Sequence, residues 1–332
     1  MESKPSILDL AIDINSRSAN AQGLESQSGD SSVFFIGSKG VGKSSLINLL
    51  QDKNEVPKST LAFDYTFIRR SGKSMLKDVC HVLELGGGTS FSNLIDTPIR
   101  TIGNLKKMAV ILMVDVSEPN QLWFTVEHLI TKTYQVLSQY AREKKIMDDL
   151  TAKAWERMGD MEHHQDISAI MPFPVPLVIV GGKYDVFQKL DSEDRDMISQ
   201  TLRSIAHGHG AMLLYYSLKD QVLCKRAKDT LIQLAFSLSY LNKHVCLDHL
   251  KPLSIPPGAD SFQLIGSLPM SCSLSVAMQR WKHSFTSQFP QESESTIIPD
   301  DPGKDKNFEE PAIDALKSQK NEEFDKYHWE ME

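Results

Sequence analysis

The feature that most constrains this chain is a glycine-rich loop at residues 37–44. Its sequence, Gly-Ser-Lys-Gly-Val-Gly-Lys-Ser, fits the P-loop pattern of a glycine, four residues of any type, and a Gly-Lys-Ser triplet. The apolar run 33–36 precedes the loop, and residues 44–50 have a helical pattern. A strand, this loop and a helix together direct backbone N–H groups and the helix N-terminus toward a phosphate. The pattern therefore predicts a P-loop α/β fold with a phosphate site at this loop.

The residues of that site have expected roles. Lys43 would reach the outer phosphates of a nucleotide, and the Ser44 hydroxyl would bind Mg²⁺. The predicted nucleotide-binding residues are Gly37, Gly40, Gly42, Lys43, Ser44, Ser45, Thr60, Gly87, Lys183 and Asp185.

The alternation of strand and helix patterns predicts the fold class. Strand-like runs occur at 33–36, 61–69, 79–85, 109–114, 175–180 and 211–216, and helical stretches at 44–50, 122–143, 193–207 and 221–238. We predict a Ras-like G-domain with a doubly wound, mostly parallel six-stranded sheet and a helical C-terminal extension. The runs 61–69 and 79–85 are more polar and alternate, which predicts an antiparallel hairpin at one edge of the sheet.

Composition divides the chain into four parts. Residues 1–31 are polar and are predicted to be a flexible arm, and residues 32–245 to be the GTPase-like domain, with an insertion at 144–173. Residues 246–290 would form an extension packed on or beside the domain. Residues 291–332 are acidic and predicted to be mostly disordered, apart from a helix near 313–327.

The extension contains an amphipathic pattern at 275–289 that leaves two alternatives open. Trp281 and Phe285 would lie on one face of this helix. That face would either bind the groove of a partner protein or fold back on the domain.

Charge and apolar content exclude several classes of function. The net charge of −7 argues against nonspecific nucleic-acid binding. No apolar run approaches the roughly 20 residues that span a bilayer, and the first residues contain no apolar signal core. The four cysteines are far apart, without zinc spacing. We expect a cytosolic protein without nucleic-acid binding or membrane insertion.

The segments that sense the γ-phosphate are altered. Thr60 lies where a switch threonine would bind Mg²⁺, but it could equally be an ordinary strand-start threonine. Ras-like GTPases have Asp-x-x-Gly followed by a water-positioning Gln; here Glu84 replaces the Asp, Gly87 keeps the glycine, and Gly88 takes the Gln position. Because Gly88 has no side chain to orient water, we predict weak or absent hydrolysis.

The base-reading segments are altered as well. The Asn-Lys-x-Asp motif of GTPases corresponds to residues 182–185, with Gly182 in the Asn position and Lys183 and Asp185 retained. One lost hydrogen bond is worth about 1 kcal/mol, so guanine preference would be weakened. Two alternatives remain: GDP or GTP with Mg²⁺ bound through Ser44 and Thr60, or no nucleotide.

Four segments carry a more specific resemblance. They are residues 34–39 (Phe-Phe-Ile-Gly-Ser-Lys), 84–89 (Glu-Leu-Gly-Gly-Gly-Thr), 172–177 (Pro-Phe-Pro-Val-Pro-Leu) and 182–187 (Gly-Lys-Tyr-Asp-Val-Phe). In this order around a P-loop, they resemble the dynein light intermediate chain family, and within it the branch associated with cilia. The resemblance covers about residues 31–290.

This resemblance implies a non-catalytic subunit of the dynein 2 motor. Its domain would pack on the tail of the heavy chain and stabilise it, and the motor would drive retrograde intraflagellar transport for cilium assembly. The implied partners are the dynein 2 heavy chain, through it the intermediate and light chains, and the intraflagellar transport machinery. The implied location is the cytoplasm, the cytoskeleton and the cilium, including axoneme and basal body. The competing interpretation is an active regulatory GTPase, which the complete P-loop and Thr60 support.

Overall fold

The computed structural model describes residues 30–71, 77–102, 104–159, 166–237, 239, 245–266, 274–292 and 309–331. The predicted N-terminal arm therefore lies outside the described residues, apart from Asp30 and Ser31. Ser31 already belongs to the first strand.

One mixed sheet organises the molecule. Its strands are β1 (Ser31–Gly37), β2 (Phe63–Ser71), β3 (Lys77–Leu85), β4 (Met108–Asp115), β5 (Leu177–Gly182), β6 (Met212–Tyr215) and β7 (Ser254–Ile255). Their order is β2-β3-β1-β4-β5-β6-β7. Strands β3, β1, β4, β5 and β6 run parallel, and β2 and β7 are antiparallel edge strands. The predicted doubly wound sheet and its β2–β3 edge hairpin are confirmed.

The predicted count of six strands is wrong, because β7 adds a seventh. Leu213 pairs with Ile255 and Leu214 with Ser254. A strand of two residues has no periodicity that a sequence pattern can reveal, and its pairing depends on the exposed edge of β6. The C-terminal extension thus contributes a strand to the sheet.

Helices cover both faces of this sheet. They are α1 (Lys43–Leu50), α2 (Asp96–Ile102), α3 (Pro119–Glu143), α4 (Met147–Met158), α5 (Tyr184–Phe187), α6 (Ser192–Gly208), α7 (Gln221–Ser237), α8 (Phe262–Ile265), α9 (Leu274–Gln288) and α10 (Pro311–Met331). The insertion 144–173 contains α4 and a 3₁₀ turn at Ile167–Ala169. In the part of the chain that the structure describes, no helix is both long enough and apolar enough to cross a bilayer.

The central strands are buried on both faces, which explains their continuous apolar sequence. Successive residues of β1 alternate between two apolar clusters. Phe34 and Ile36 pack with residues of α2, α3, α6 and α9, whereas Val33 and Phe35 pack with residues of α1 and α7. The P-loop therefore follows a strand that the core fixes from both sides.

The amphipathic helix of the extension folds back on the domain. Trp281 and Phe285 of α9, and Phe289 directly after this helix, are buried. The ring of Phe285 lies 6.1 Å from that of Trp123 in α3, centroid to centroid. Of the two alternatives for this helix, the structure supports packing on its own domain.

The acidic tail contains a long helix. The helix predicted near residues 313–327 is present as α10, and it extends further at both ends. The prediction of a mostly disordered tail made an exception for this helix, and α10 adds residues 311–312 and 328–331 to it. In α10 the side chains from Pro311 to Tyr327 are exposed, except for a half-buried Glu323.

Candidate nucleotide site

The P-loop is shaped by its three glycines. Gly37 has φ of 140°, and a Cβ built there would lie 1.8 Å from the Met113 carbonyl oxygen of β4. Gly40 and Gly42 have φ of 69° and 102°, in the left-handed region that favours glycine. Gly42 is the N-cap of α1, so the first N–H groups of this helix face the loop.

Replacing Gly37 with alanine is expected to lower the free energy of unfolding by about 1–3 kcal/mol through overpacking against β4, in addition to the backbone cost of its positive φ. Gly40 provides a matched control, because a Cβ there meets no atom within 4 Å. For Gly40→Ala only the backbone cost of roughly 1–2 kcal/mol is expected. Urea denaturation measures both values. A smaller loss for Gly37→Ala than for Gly40→Ala would contradict the close approach to Met113.

Lys43 is buried at the start of α1. Its Nζ donates to the carbonyl oxygens of Gly37, at 3.2 Å, and Ser38, at 2.8 Å. These bonds hold the ammonium group over the loop, where the phosphates of a nucleotide would bind.

Three oxygen-bearing side chains meet beside the P-loop. The Ser44 hydroxyl donates to Glu84 Oε1 at 2.8 Å and lies 3.2 Å from Thr60 Oγ1. A Cβ on Gly86 would lie 2.3 Å from the Thr60 carbonyl oxygen, so the loop carrying Thr60 packs closely on the end of β3. Since β2 begins only at Phe63, Thr60 lies before the strand, and its hydroxyl reaches Ser44. Its role as a switch threonine stays a prediction.

This cluster has suitable chemistry for a magnesium phosphate. Hydroxyl and carboxylate oxygens are the ligands that Mg²⁺ prefers. Burial raises the pKa of Glu84 above its ordinary value, while the hydrogen bond from Ser44 and the charge of Lys43 oppose this rise. Space is open where a Cβ would project from Gly40 or Gly42, so phosphate oxygens could approach the backbone there. The residues present therefore fit the phosphate and metal half of a nucleotide.

The segment that corresponds to the hydrolytic motif of GTPases follows β3 in a turn built on two glycines. Gly87 and Gly88 have φ of 69° and 63°. A Cβ on Gly87 would lie 2.2 Å from the ring of Phe91. Gly88 offers only its backbone where a GTPase would position water with a glutamine side chain.

The base-reading segment begins with Lys183, which caps the short helix α5 with φ of 59°. Its Nζ lies 2.5 Å from Asp115 Oδ2, at the end of β4. Asp115 Oδ1 accepts from the backbone N–H of Ser117 at 3.0 Å and from its hydroxyl at 2.6 Å. The Asp115 carboxylate thus caps the turn after β4 and also fixes Lys183.

Asp185 is fixed by the loop after β6. Its Oδ1 accepts from Ser217 Oγ at 2.8 Å, and its Oδ2 accepts from Lys219 Nζ at 2.6 Å. The hydrogen bond from Lys219, followed by that from Ser217, holds the pKa of Asp185 below its ordinary value. Asp185 is therefore an ionised acceptor at neutral pH, and a guanine base would have to share or displace its two partners.

The position that carries asparagine in GTPases is closed by the P-loop itself. A Cβ on Gly182 would lie 2.6 Å from Val41 Cγ2 and 3.1 Å from the Val41 carbonyl oxygen. Val41 is buried, so an asparagine side chain would require it to move. Beside this contact lies a cleft of about 270 Å³, lined by Val41, Gly42, Ser45, Lys183, Asp185, Val186, Tyr216, Leu218 and Lys219.

The predicted site residues thus form two groups. Lys43, Ser44 and Thr60 lie together at the phosphate side, and Ser45, Lys183 and Asp185 line the cleft at the base side. The prediction missed five side chains that hold this site: Val41, Glu84, Asp115, Ser217 and Lys219. Glu84, Ser217 and Lys219 occupy positions of known GTPase motifs. Those positions could have identified all three as site residues from the sequence.

Comparison with known proteins identifies related chains. Residues 16–170 match the family model for the dynein light intermediate chain. The cytoplasmic dynein 2 light intermediate chain 1 of Bos taurus is 38% identical over 323 residues, covering 93% of this chain and 91% of the relative. Its Homo sapiens counterpart is 40% identical over 308 residues, covering 89% and 86%. The cytoplasmic dynein 1 light intermediate chain 1 of Gallus gallus is 24% identical over 271 residues, covering 71% and 52%.

A solved structure supports the fold. The crystal structure of the conserved domain of a dynein light intermediate chain superposes with a TM-score of 0.56 at 17% identity. The match covers 82% of this chain and 94% of the solved chain.

Proposed function

This chain belongs to the dynein light intermediate chain family, and we propose that it is a non-catalytic subunit of a dynein 2 motor. In this role its domain binds the heavy chain and stabilises it. Contact with the intermediate and light chains then runs through the heavy chain.

One observation carries the choice of motor. The dynein 2 relatives match nearly the whole of this chain at 38–40% identity, whereas the dynein 1 relative from Gallus gallus matches 71% of it at 24%. The chain spans about half of that dynein 1 relative.

We place this subunit in retrograde intraflagellar transport and cilium assembly. The locations that follow are the cytoplasm, the cytoskeleton, the axoneme and the basal body. Support for this step comes from the dynein 2 relatives alone.

For the nucleotide site we propose a structural role without rapid turnover. The Lys43, Ser44 and Thr60 groups suit GDP or GTP with Mg²⁺. Gly88 provides no water-positioning side chain, and Gly182 with Val41 replaces part of the base-reading motif. A nucleotide bound here would stabilise the fold by mass action and remain unhydrolysed.

A cycling regulatory GTPase is the second candidate, and the contact among Ser44, Thr60 and Glu84 favours it. Single-turnover hydrolysis of GTP distinguishes the two. We expect no hydrolysis above the rate of a Lys43→Ala control, since orientation of the attacking water is a major part of this catalysis. Measurable hydrolysis that disappears in Lys43→Ala would favour the GTPase.

A rescue experiment tests the motor function in ciliated cells that lack the chain. Loss of the subunit is expected to stop retrograde particle movement and shorten cilia, and the intact chain is expected to restore both. We expect Lys43→Ala to restore them as well, provided that the variant accumulates to the same level. Normal transport in cells without the chain would contradict the proposal.

A further inference from the structure

A large apolar groove lies on the face of the domain away from the P-loop helix α1. It has a volume of about 710 Å³ and is lined by α3, the segment around residue 170, α6 and α9. We call it the α3–α9 groove. Its apolar lining includes Trp123, Ile130, Tyr134, Ile170, Met171 and Met278. This size is in the range of binding sites, and packing voids are much smaller.

Two residues that line the groove each contain a buried nitrogen atom without a hydrogen-bond partner among the described residues. These atoms are Trp123 Nε1 and His209 Nδ1. Burial also lowers the pKa of His209 to about 4, so the imidazole is neutral at pH 7. A buried polar group without a partner costs about 1–3 kcal/mol.

Helix α10 carries an exposed apolar stripe along one face. Ile313, Leu316, Phe324 and Tyr327 are between 56% and 70% exposed. At 3.6 residues per turn, these four positions lie within about 80° of one another around the helix axis. The stripe ends in the phenol of Tyr327, which can donate or accept a hydrogen bond. Helices in proteins gain most of their stability from packing an apolar face.

The chain enters the tail at one end of the groove. Gln291 accepts from the backbone N–H of Phe124 at 3.2 Å and donates to the Pro119 carbonyl at 3.0 Å. The backbone N–H of Glu292 donates to the Asn120 carbonyl at 2.9 Å. The first two residues of the tail are thus attached to the first turn of α3, directly before Trp123.

The dimensions of stripe and groove agree. The groove follows α3 from Trp123 to Gln135, about 18 Å at 1.5 Å per residue. The stripe from Ile313 to Tyr327 measures about 21 Å on the same scale. Residues 293–310 join the two and could span at most about 60 Å, so α10 can reach every part of the groove.

The stripe is exposed in the structure, and we propose that α10 also adopts a docked position, lengthwise in the α3–α9 groove of its own chain, with Ile313, Leu316 and Tyr327 against α3. The covalent connection makes this docking intramolecular, which favours it over the same contact between separate chains at ordinary concentrations. This inference concerns the isolated subunit and is independent of the motor to which it belongs.

Hydrogen exchange of the full chain, followed by mass spectrometry, tests the docking. We expect the backbone amides of residues 313–327 to exchange on the order of 10- to 100-fold more slowly in the intact chain than in a Leu316→Asp variant. Ala315→Asp is the matched control, because residue 315 faces away from the stripe. Its loss of intrinsic helix propensity is at least as large as that of Leu316→Asp. Slow exchange in Ala315→Asp together with fast exchange in Leu316→Asp is the expected result.

A second pair of variants tests the groove itself. Met171 and Ile167 are both 44% exposed, but only Met171 lines the groove. Met171→Asp is expected to release α10 and speed its exchange, and Ile167→Asp is expected to leave it unchanged. Because both residues lie at the surface, either variant should fold.

Three results would overturn the proposal. In the first, α10 of the intact chain exchanges as fast as in Leu316→Asp. In the second, Met171→Asp leaves the protection of α10 intact. In the third, protection increases with protein concentration from about 1 to 50 µM, as expected for contact between two copies.

Discussion

Replacing Asp260 with alanine is expected to lower the free energy of unfolding by about 3–5 kcal/mol. Asp260 lies in the C-terminal extension and accepts two hydrogen bonds from the guanidinium of Arg203 in α6, each of 2.8 Å. The two side chains are only 9% and 4% exposed, for Arg203 and Asp260 respectively. The variant would leave a buried positive charge without its carboxylate, and that desolvated charge is the source of the large effect.

An exposed ion pair provides the control for this measurement. Lys282 in α9 and Glu127 in α3 lie 2.6 Å apart and also join the extension to the domain, but both are nearly half exposed. Glu127→Ala is expected to cost less than about 1 kcal/mol. Urea denaturation measures both variants. Equal losses for the two would show that burial of the Arg203–Asp260 pair is not what stabilises the extension.

Replacing Phe285 with alanine is expected to lower the free energy of unfolding by about 3–5 kcal/mol. The ring is fully buried, lies 6.1 Å from Trp123 and 5.1 Å from Phe289, and joins α9 to the main core. Its removal leaves a cavity between α3 and α9 that neighbouring side chains can fill only in part. Denaturation gives the loss, and hydrogen exchange should find α9 released before the sheet.

His283 is the control for this second prediction, because it is exposed on the same helix. His283→Ala is expected to change the free energy of unfolding by no more than about 0.5 kcal/mol. If Phe285→Ala were as mild, α9 would not be part of the cooperative domain.

The sequence was sufficient to predict the parts of the fold that depend on local pattern. The central runs of β1, β4 and β5, at residues 33–36, 109–114 and 177–180, are apolar because both faces of these strands are covered. The alternating pattern of β2 and β3 predicted their edge hairpin, and the glycines of the P-loop predicted its turn. In each case the residue types and their spacing were sufficient to predict the local structure.

Features that depend on distant contacts could not be predicted in this way. The two-residue strand β7 exists because the edge of β6 is available to it. Closure of the Gly182 position by Val41 joins residues from β5 and the P-loop, and neither residue alone signals the contact. The GTPase motif shows that Gly182 stands where an asparagine is expected. The structure adds that Val41 fills the space that the asparagine side chain would need.

The altered side chains of the site have a common consequence. Glu84 bonds to Ser44, Lys219 to Asp185 and Lys183 to Asp115, so the groups that would contact a nucleotide also bond to one another. Such internal bonds satisfy polar groups that would otherwise be buried without partners. This arrangement is compatible with a domain whose main task is to bind another protein.

The most direct test of the proposed motor function is recovery of the tagged chain from ciliated cells, followed by mass spectrometry of the proteins bound to it. We expect stoichiometric recovery of the dynein 2 heavy chain, with intermediate and light chains in the same complex. Absence of the heavy chain, despite good recovery of the soluble tagged protein, would contradict that function and make the regulatory GTPase the leading candidate.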